Sequence, residues 1–175
     1  MTHLLLVLGG ARSGKSAYAE RRVEAHGTAD VAYIATMLPG DPDVDARIAT
    51  HRARRPPSWS TVEATEDLAA AVRAARSHDA VLLDGFELAL ALADPPDDAA
   101  AARLAGDVGA ALRDGATSLA VVVGAEAGLG VVPSTAAGVA FRDRLGAANQ
   151  VLAAGADEVV LVVAGLPLWL KGGPA

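Results

Sequence analysis

Apolar positions cluster in short runs with almost no polar residue inside them: His3 to Leu8, Val31 to Thr36, Ala80 to Asp84, Leu119 to Val123 and Val159 to Val163. A strand with one face in water alternates apolar and polar side chains, whereas unbroken runs of this length read as strands buried on both faces. Between them lie alanine-rich stretches with charges at helical spacing: Lys15 to His26, Asp67 to Arg76, Ala99 to Arg113 and Phe141 to Ala154. Alternating strands and helices predict an α/β fold, a mostly parallel central sheet flanked by helices on both faces. Leu166 to Lys171 reads as a last strand entered through a turn at Gly165, and Pro167, which cannot donate a ladder bond, places it at a sheet edge. Thr65 followed by Glu66 and Asp67 reads as an N-cap with an acidic first turn, and Asp94 to Asp98 as a turn before another helix. No repeat or long linker divides the chain, so residues 1–175 are expected to form one domain.

Composition narrows the chemistry. With no cysteine, disulfide frameworks, thiolate metal clusters and thiol nucleophiles are excluded. A net charge of -6 gives no global attraction to polyanions, so nucleic acid is not an expected partner. No stretch has the length and apolarity of a membrane span, and Met1 to Gly10 lacks the basic region of a signal peptide, so a cytoplasmic location is expected. Aromatic residues are only 3%, which leaves a core of small aliphatic side chains that oligomerisation would supplement.

The segment Gly9-Gly10-Ala11-Arg12-Ser13-Gly14-Lys15-Ser16 satisfies G-x-x-x-x-G-K-[ST], with an apolar strand before it and an amphipathic helix after it. Glycines let such a loop curl with its N–H groups inward around phosphate. The helix N-terminus, Lys15 and the Ser16 hydroxyl then supply positive potential, a cation for the terminal phosphates and a ligand for Mg²⁺. Val81-Leu82-Leu83-Asp84 is an apolar strand ending in a carboxylate, the second element of such a site, which assigns Asp84 with Ser16 to metal. Together these predict a P-loop NTPase of RecA-like architecture.

After the second strand, Asp43, Arg47, His51 and Arg55 recur every fourth residue, so a helix there lines them along one face. The face reads either as a salt-bridged surface ladder or as a nucleotidyl-transfer site. In the second reading a neutral imidazole nitrogen attacks phosphorus while guanidinium groups balance phosphate charge. His51 is far from the loop in sequence, so movement of a loop or helix is one way to bring them together.

At this point the sequence resembles the bifunctional adenosylcobinamide kinase and adenosylcobinamide-phosphate guanylyltransferase family of cobalamin biosynthesis. The likeness runs through the loop from Gly9 to Ser16, Tyr33-Ile34-Ala35-Thr36, Arg47-Ile48 with His51-Arg52 and Arg55-Pro56, and Trp59 with Thr61-Val62-Glu63. It continues through Leu82-Leu83-Asp84, Gly128 with Gly130 to Pro133, Phe141-Arg142-Asp143, Asn149-Gln150, and Ala156 to Val159 reaching Gly165-Leu166-Pro167. The resemblance implies that a nucleoside triphosphate, ATP or GTP, phosphorylates the aminopropanol hydroxyl of adenosylcobinamide. GTP then donates GMP to that phosphate through a GMP-histidine, here His51, releasing pyrophosphate. It implies that Ala35, Thr36, Met37, Arg52, Ala53, Arg54 and Arg55 contact the guanine nucleotide, that Glu63 and Asp84 complete the site, that Lys15 is catalytic and that Mg²⁺ is required. A homo-oligomer, a trimer among the forms, is implied as well. Narrower readings are a P-loop small-molecule kinase without guanylyl transfer and a non-catalytic GTP-binding regulatory protein.

The chain departs from the family pattern in places. Gly85-Phe86-Glu87 stands where a cysteine and then a threonine are common, Ala125 to Gly128 replaces Asn-Glu-Val-Gly, and small residues fill Thr135 to Ala140. Glu126 reads as a contact to metal or cobinamide or as a loop carboxylate. Asn149 and Gln150 read as helix-surface or capping groups. Trp59 and Trp169 read as buried anchors, or else as side chains packing on the corrin or at a subunit contact.

Overall fold

The computed structural model describes residues 1–37, 39–64 and 67–173, with backbone only at Arg47. In chain order the elements are β1 (His3–Gly9), α1 (Lys15–His26), β2 (Val31–Ala35), α2 (Pro42–Arg54), β3 (Ser60–Glu63), α3 (Leu68–Ala75), β4 (Ala80–Asp84), α4 (Phe86–Ala93), α5 (Asp98–Arg113), β5 (Leu119–Ala125), α6 (Ala136–Gly155), β6 (Glu158–Val163) and β7 (Leu166–Lys171). All strands join one seven-stranded sheet in the order β3-β2-β4-β5-β1-β6-β7. Every pairing is parallel except that of β7 with β6.

The apolar runs are continuous because successive side chains serve two cores. Leu4, Leu6 and Leu8 of β1 pack with α3, α4, α5 and α6 on one face, while Leu5 and Val7 pack with Tyr18, Ala19 and Val23 of α1 on the other. Crossing from β1 to β4 passes over β5, so β5 separates the strand that feeds the glycine-rich loop from the strand that ends in Asp84. Both arrive at the carboxyl end of the sheet, where ligands of open α/β sheets bind.

Several details differ from the sequence expectation. Of the four residues of β3 only Val62 is apolar, and the strand forms an edge, so no buried run marks it. Helix α4 starts directly after Gly85 (φ 96°), a turn tight enough to hide the boundary between strand and helix. Helix α6 begins at Ala136, because Thr135 Oγ1 accepts the Gly138 N–H at 3.1 Å and supplies the N-cap. At α3 the cap is Asp67 itself, accepting the Ala70 N–H at 3.0 Å, while Thr65 and Glu66 lie outside the described residues. Asn149 is buried, not on the helix surface, and its Nδ2 donates to the Ala125 carbonyl at 3.1 Å. Trp59 and Trp169 are only partly buried, packed against the α1-side core.

The β6–β7 hairpin turns at Ala164 (φ 51°) and Gly165 (φ 81°), the paired left-handed residues of a two-residue hairpin. The Gly165 N–H donates to the Ser13 carbonyl at 2.8 Å, so this edge hairpin braces the glycine-rich loop. Among the described residues, no helix is long and apolar enough to cross a membrane.

Candidate active site

Two cavities open at the carboxyl end of the sheet and meet at His51. The first, about 290 Å³, is lined by the loop and first turn of α1 (Arg12, Ser13, Gly14, Lys15, Ser16) together with Met37, His51, Arg54, Asp84 and Glu87. The second, about 210 Å³, is lined from β2, α2 and β3, including Ala35, Thr36, Met37, Arg52, Arg55, Glu63 and again His51 and Asp84. The fold alone brings His51 to the loop, and no movement is needed for them to share a cavity. Gly9, Gly10 and Ala11 shape the loop without lining either space, and Ala53 lines neither, lying instead beside Pro39, Asp45, Ile48 and Ala49.

The loop is held by its glycines at two points. Gly14 has φ 91°, and a Cβ on Gly9 would come within 2.5 Å of Ser13 Oγ and 2.7 Å of the Val162 carbonyl. Ser16 opens α1, and its Oγ donates to Asp84 Oδ1 at 3.0 Å. Lys15 Nζ reaches the Gly10 carbonyl at 3.5 Å.

Asp84 is the hub. Its Oδ2 accepts the Tyr33 hydroxyl at 2.7 Å and lies 3.4 Å from His51 Nδ1, and the Thr36 hydroxyl holds the turn behind it, 2.9 Å from the Asp84 carbonyl and 3.0 Å from that of Gly85. Burial alone would raise the Asp84 pKa, but hydrogen bonds from His51 and Tyr33 and the adjacent imidazole outweigh it and hold the group below the usual carboxylate range. The reverse holds for Tyr33, whose hydroxyl is kept protonated by burial and by the neighbouring carboxylate.

Helix α2 presents His51 at the cavity mouth through polar contacts, since none of its described side chains is fully buried. Arg54 Nη2 pairs with Glu20 Oε1 at 3.1 Å, Arg55 Nε donates to the His51 carbonyl at 3.2 Å, and the Arg55 guanidinium stacks on Tyr33 with its carbon 3.6 Å from the ring centroid. Arg54 Nη2 also lies 3.4 Å from His51 Nδ1, to which a guanidinium can only donate. A proton on Nδ1 serves the Asp84 contact and leaves Nε2 its lone pair, whereas a lone pair on Nδ1 serves the Arg54 contact. Arg55 Nη1 is buried at the second cavity with no hydrogen-bond partner among the described residues. The expected fourfold ladder is therefore split. Asp43 is exposed at the N-terminal end, the Arg47 side chain lies outside the description, and His51 and Arg55 turn inward.

The residues fit a Mg²⁺ ion. Ser16 Oγ and Asp84 Oδ1 are hard oxygen donors in contact beside the phosphate loop, and Mg²⁺ characteristically takes one or two such protein ligands together with substrate phosphates. Glu20, whose ligand atom lies within 4.8 Å of those of His51 and Asp84, is already committed to Arg54. Glu126 does not line either cavity. Its Oε1 accepts the Gly128 N–H, so it caps its own turn.

Tyr33 and Glu20 carry weight that their residue types concealed. A tyrosine inside an apolar strand must find a partner for its hydroxyl, and that requirement was the available signal for Tyr33. Glu20 gave none, because an acid on a charged helix reads as solvated.

Comparison with known proteins agrees with this geometry. The sequence profile of the family described as cobinamide kinase / cobinamide phosphate guanyltransferase matches residues 5–170. The chain belongs to that family. It is 42% identical to the bifunctional adenosylcobalamin biosynthesis protein CobP of Pseudomonas aeruginosa, over 97% of this chain and 98% of that protein. It is also 39% and 36% identical to the proteins named CobU of Salmonella typhimurium and Escherichia coli, over 96% of this chain and 99% of each. Among solved structures, the flagellar accessory protein FlaH of Methanocaldococcus jannaschii superposes with a TM-score of 0.57 at 12% identity, covering 97% of this chain and 78% of that one. The ATPase domain of G40P gives 0.54 at 9%, covering 91% and 68%. At such identities what is shared is the fold, a RecA-like P-loop architecture. The cobinamide kinase / guanyltransferase family therefore supplies the chemistry, and the P-loop fold the nucleotide site.

Proposed function

We propose that this single domain phosphorylates the aminopropanol hydroxyl of adenosylcobinamide from a nucleoside triphosphate. It then transfers GMP from GTP to adenosylcobinamide phosphate through a GMP-histidine at His51. The observation that carries the reading is one imidazole lining both cavities, with Nδ1 3.4 Å from Asp84; in the tautomer that donates to Asp84, Nε2 is the nucleophile. Family membership supplies the acceptor and the two reactions.

In guanylyl transfer His51 Nε2 bonds to the α-phosphorus of GTP and pyrophosphate leaves with the electron pair of the broken P–O bond. A phosphate oxygen of adenosylcobinamide phosphate then bonds to the same phosphorus, and the P–N bond breaks back to Nε2. Dividing the transfer in this way avoids a direct encounter between two highly charged reactants. Asp84 keeps the imidazole in one tautomer and stabilises the positive charge it acquires on guanylylation. Lys15, Arg12 and the loop N–H groups balance the departing phosphates, and Arg54 and Arg55 charge on the histidine side. Bound between Ser16, Asp84 and the nucleotide, Mg²⁺ would supply charge neutralisation and polarise a phosphoryl oxygen. Ala35, Thr36, Met37, Arg52 and Glu63 form the guanine-nucleotide side, where Arg55 Nη1, without a partner among the described residues, can donate to the nucleotide.

The chain is proposed to work as a homo-oligomer in the cytoplasm without nucleic acid. Exposed Leu166, Leu168 and Leu170 along edge strand β7 support self-association.

Incubation with α-labelled GTP tests the reading. The parent chain is expected to acquire acid-labile label and to pass it to adenosylcobinamide phosphate, whereas His51→Ala does neither while still binding nucleotide. Equal labelling of parent and variant would reject His51 and favour a kinase without guanylyl transfer.

A further inference from the structure

Glu87 is the misfit in the first cavity. A carboxylate among Arg12, Lys15, Ser16 and the loop N–H groups repels the phosphates that those groups attract. It sits in the first turn of α4, swung over the sheet end by the left-handed turn at Gly85 (φ 96°). Its Oε2 accepts the N–H of Ala125 at 3.1 Å, and Ala125 is the residue of β5 that lies opposite Gly9, where the phosphate loop begins. The side chain is thus fixed beside the loop by one backbone bond. A carboxylate offers about four lone-pair sites, so acceptor capacity remains after that bond.

We infer that Glu87 is a catalytic residue of the phosphoryl-transfer step, the general base that takes the proton of the acceptor alcohol. The inference rests on the kinase half of the proposed function and deepens it. The alcohol oxygen bonds to the γ-phosphorus, and the bond from that phosphorus to the bridging oxygen breaks with its electron pair on the nucleoside diphosphate. The hydroxyl proton passes to the Glu87 carboxylate, which releases it to water when the product leaves. Asp84 is less suited to this task, because its oxygens already meet Ser16, Tyr33 and His51 and, with Ser16, it is the candidate Mg²⁺ ligand.

The surroundings of Glu87 suit a base. Burial raises its pKa above the ordinary glutamate value, its own and the Ala125 N–H groups and the Lys15 cation oppose that rise, and the Asp84 charge adds to it. Lys15 from α1 and Asp84 from β4 act on it, Arg12, His51 and Arg54 line the same cavity, and β5 contributes the neutral N–H of Ala125. Because the basic form is the active one, kcat should fall as pH drops through this raised pKa.

The test is Glu87→Gln, which keeps an oxygen for Ala125 but cannot take a proton. Phosphate transfer from γ-labelled ATP to adenosylcobinamide is measured across pH, with thermal unfolding alongside. The expected result is a kcat lowered roughly 100-fold, a KM for ATP within about threefold, an unchanged unfolding midpoint, and loss of the acidic limb of the pH profile. A variant with parental kcat and profile would overturn the inference. So would a kcat loss accompanied by a collapse in thermal stability, which would reduce Glu87 to a strap between α4 and β5. A parent chain that makes no adenosylcobinamide phosphate would instead remove the kinase reading itself.

Discussion

At the scale of single residues, one buried carboxylate decides most of the site. Asp84 faces a hydroxyl of the phosphate loop, a tyrosine and the histidine at once, so the loop and α2 are coupled through two oxygens. Asp84, Lys15 and Ser16 were singled out by local motifs, whereas the spacing around His51 read equally as a surface ladder and only the family resemblance favoured a site. Tyr33 signalled only that its hydroxyl needs a partner, and Glu20 and the bond fixing Glu87 were not legible, since each depends on a residue many positions away. Tyr33→Phe removes the donor to a buried charge. It should lower stability in urea titrations by about 1.5–3 kcal/mol, and a loss below about 0.5 kcal/mol would mean that Asp84 does without it.

Among the elements, the buried strands and the helices over them were readable because two-faced burial forces continuous apolar runs. β3 and α4 were not: the first is a short edge, and the second follows β4 with only Gly85 between. Helix α2 was expected from its spacing, but its attachment was not. It docks by an ion pair, a cation–π stack and the His51–Asp84 contact instead of an apolar face. Elsewhere in the sheet, Asp157 ties the start of β6 to β1 and α5, accepting the Leu4 N–H at 2.8 Å and pairing with Arg113 at 2.9 Å. The Leu4 N–H first, and then Arg113, hold its carboxyl below the usual range. A carboxylate with a depressed folded pKa stabilises above its unfolded value and loses that contribution as pH falls through the folded one. Asp157→Asn should therefore cost about 1 kcal/mol at pH 7, discounted for its partial exposure. The difference should shrink in denaturation curves taken below about pH 4, and a gap that persisted unchanged in acid would contradict the assignment.

For the molecule as a whole, the arrangement places two cavities on either side of His51, so the two transfers of the proposed function would share one imidazole. The overall architecture was legible from periodicity and the phosphate loop. The division into two cavities was not, because it arises only when β2, β3 and α2 fold beside β4. Self-association through β7 predicts more than one chain per particle in light scattering. It also predicts that Leu168→Asp, a charge placed on the exposed face, yields a smaller particle, and an unchanged particle would move the contact elsewhere. The central claim concerns His51, and peptide mass spectrometry after incubation with Mg²⁺ and GTP tests it most directly. The account predicts a GMP increment on the peptide carrying His51, lost on addition of adenosylcobinamide phosphate. Finding that increment on another side chain, or finding substrate turnover with no increment at all, would contradict it.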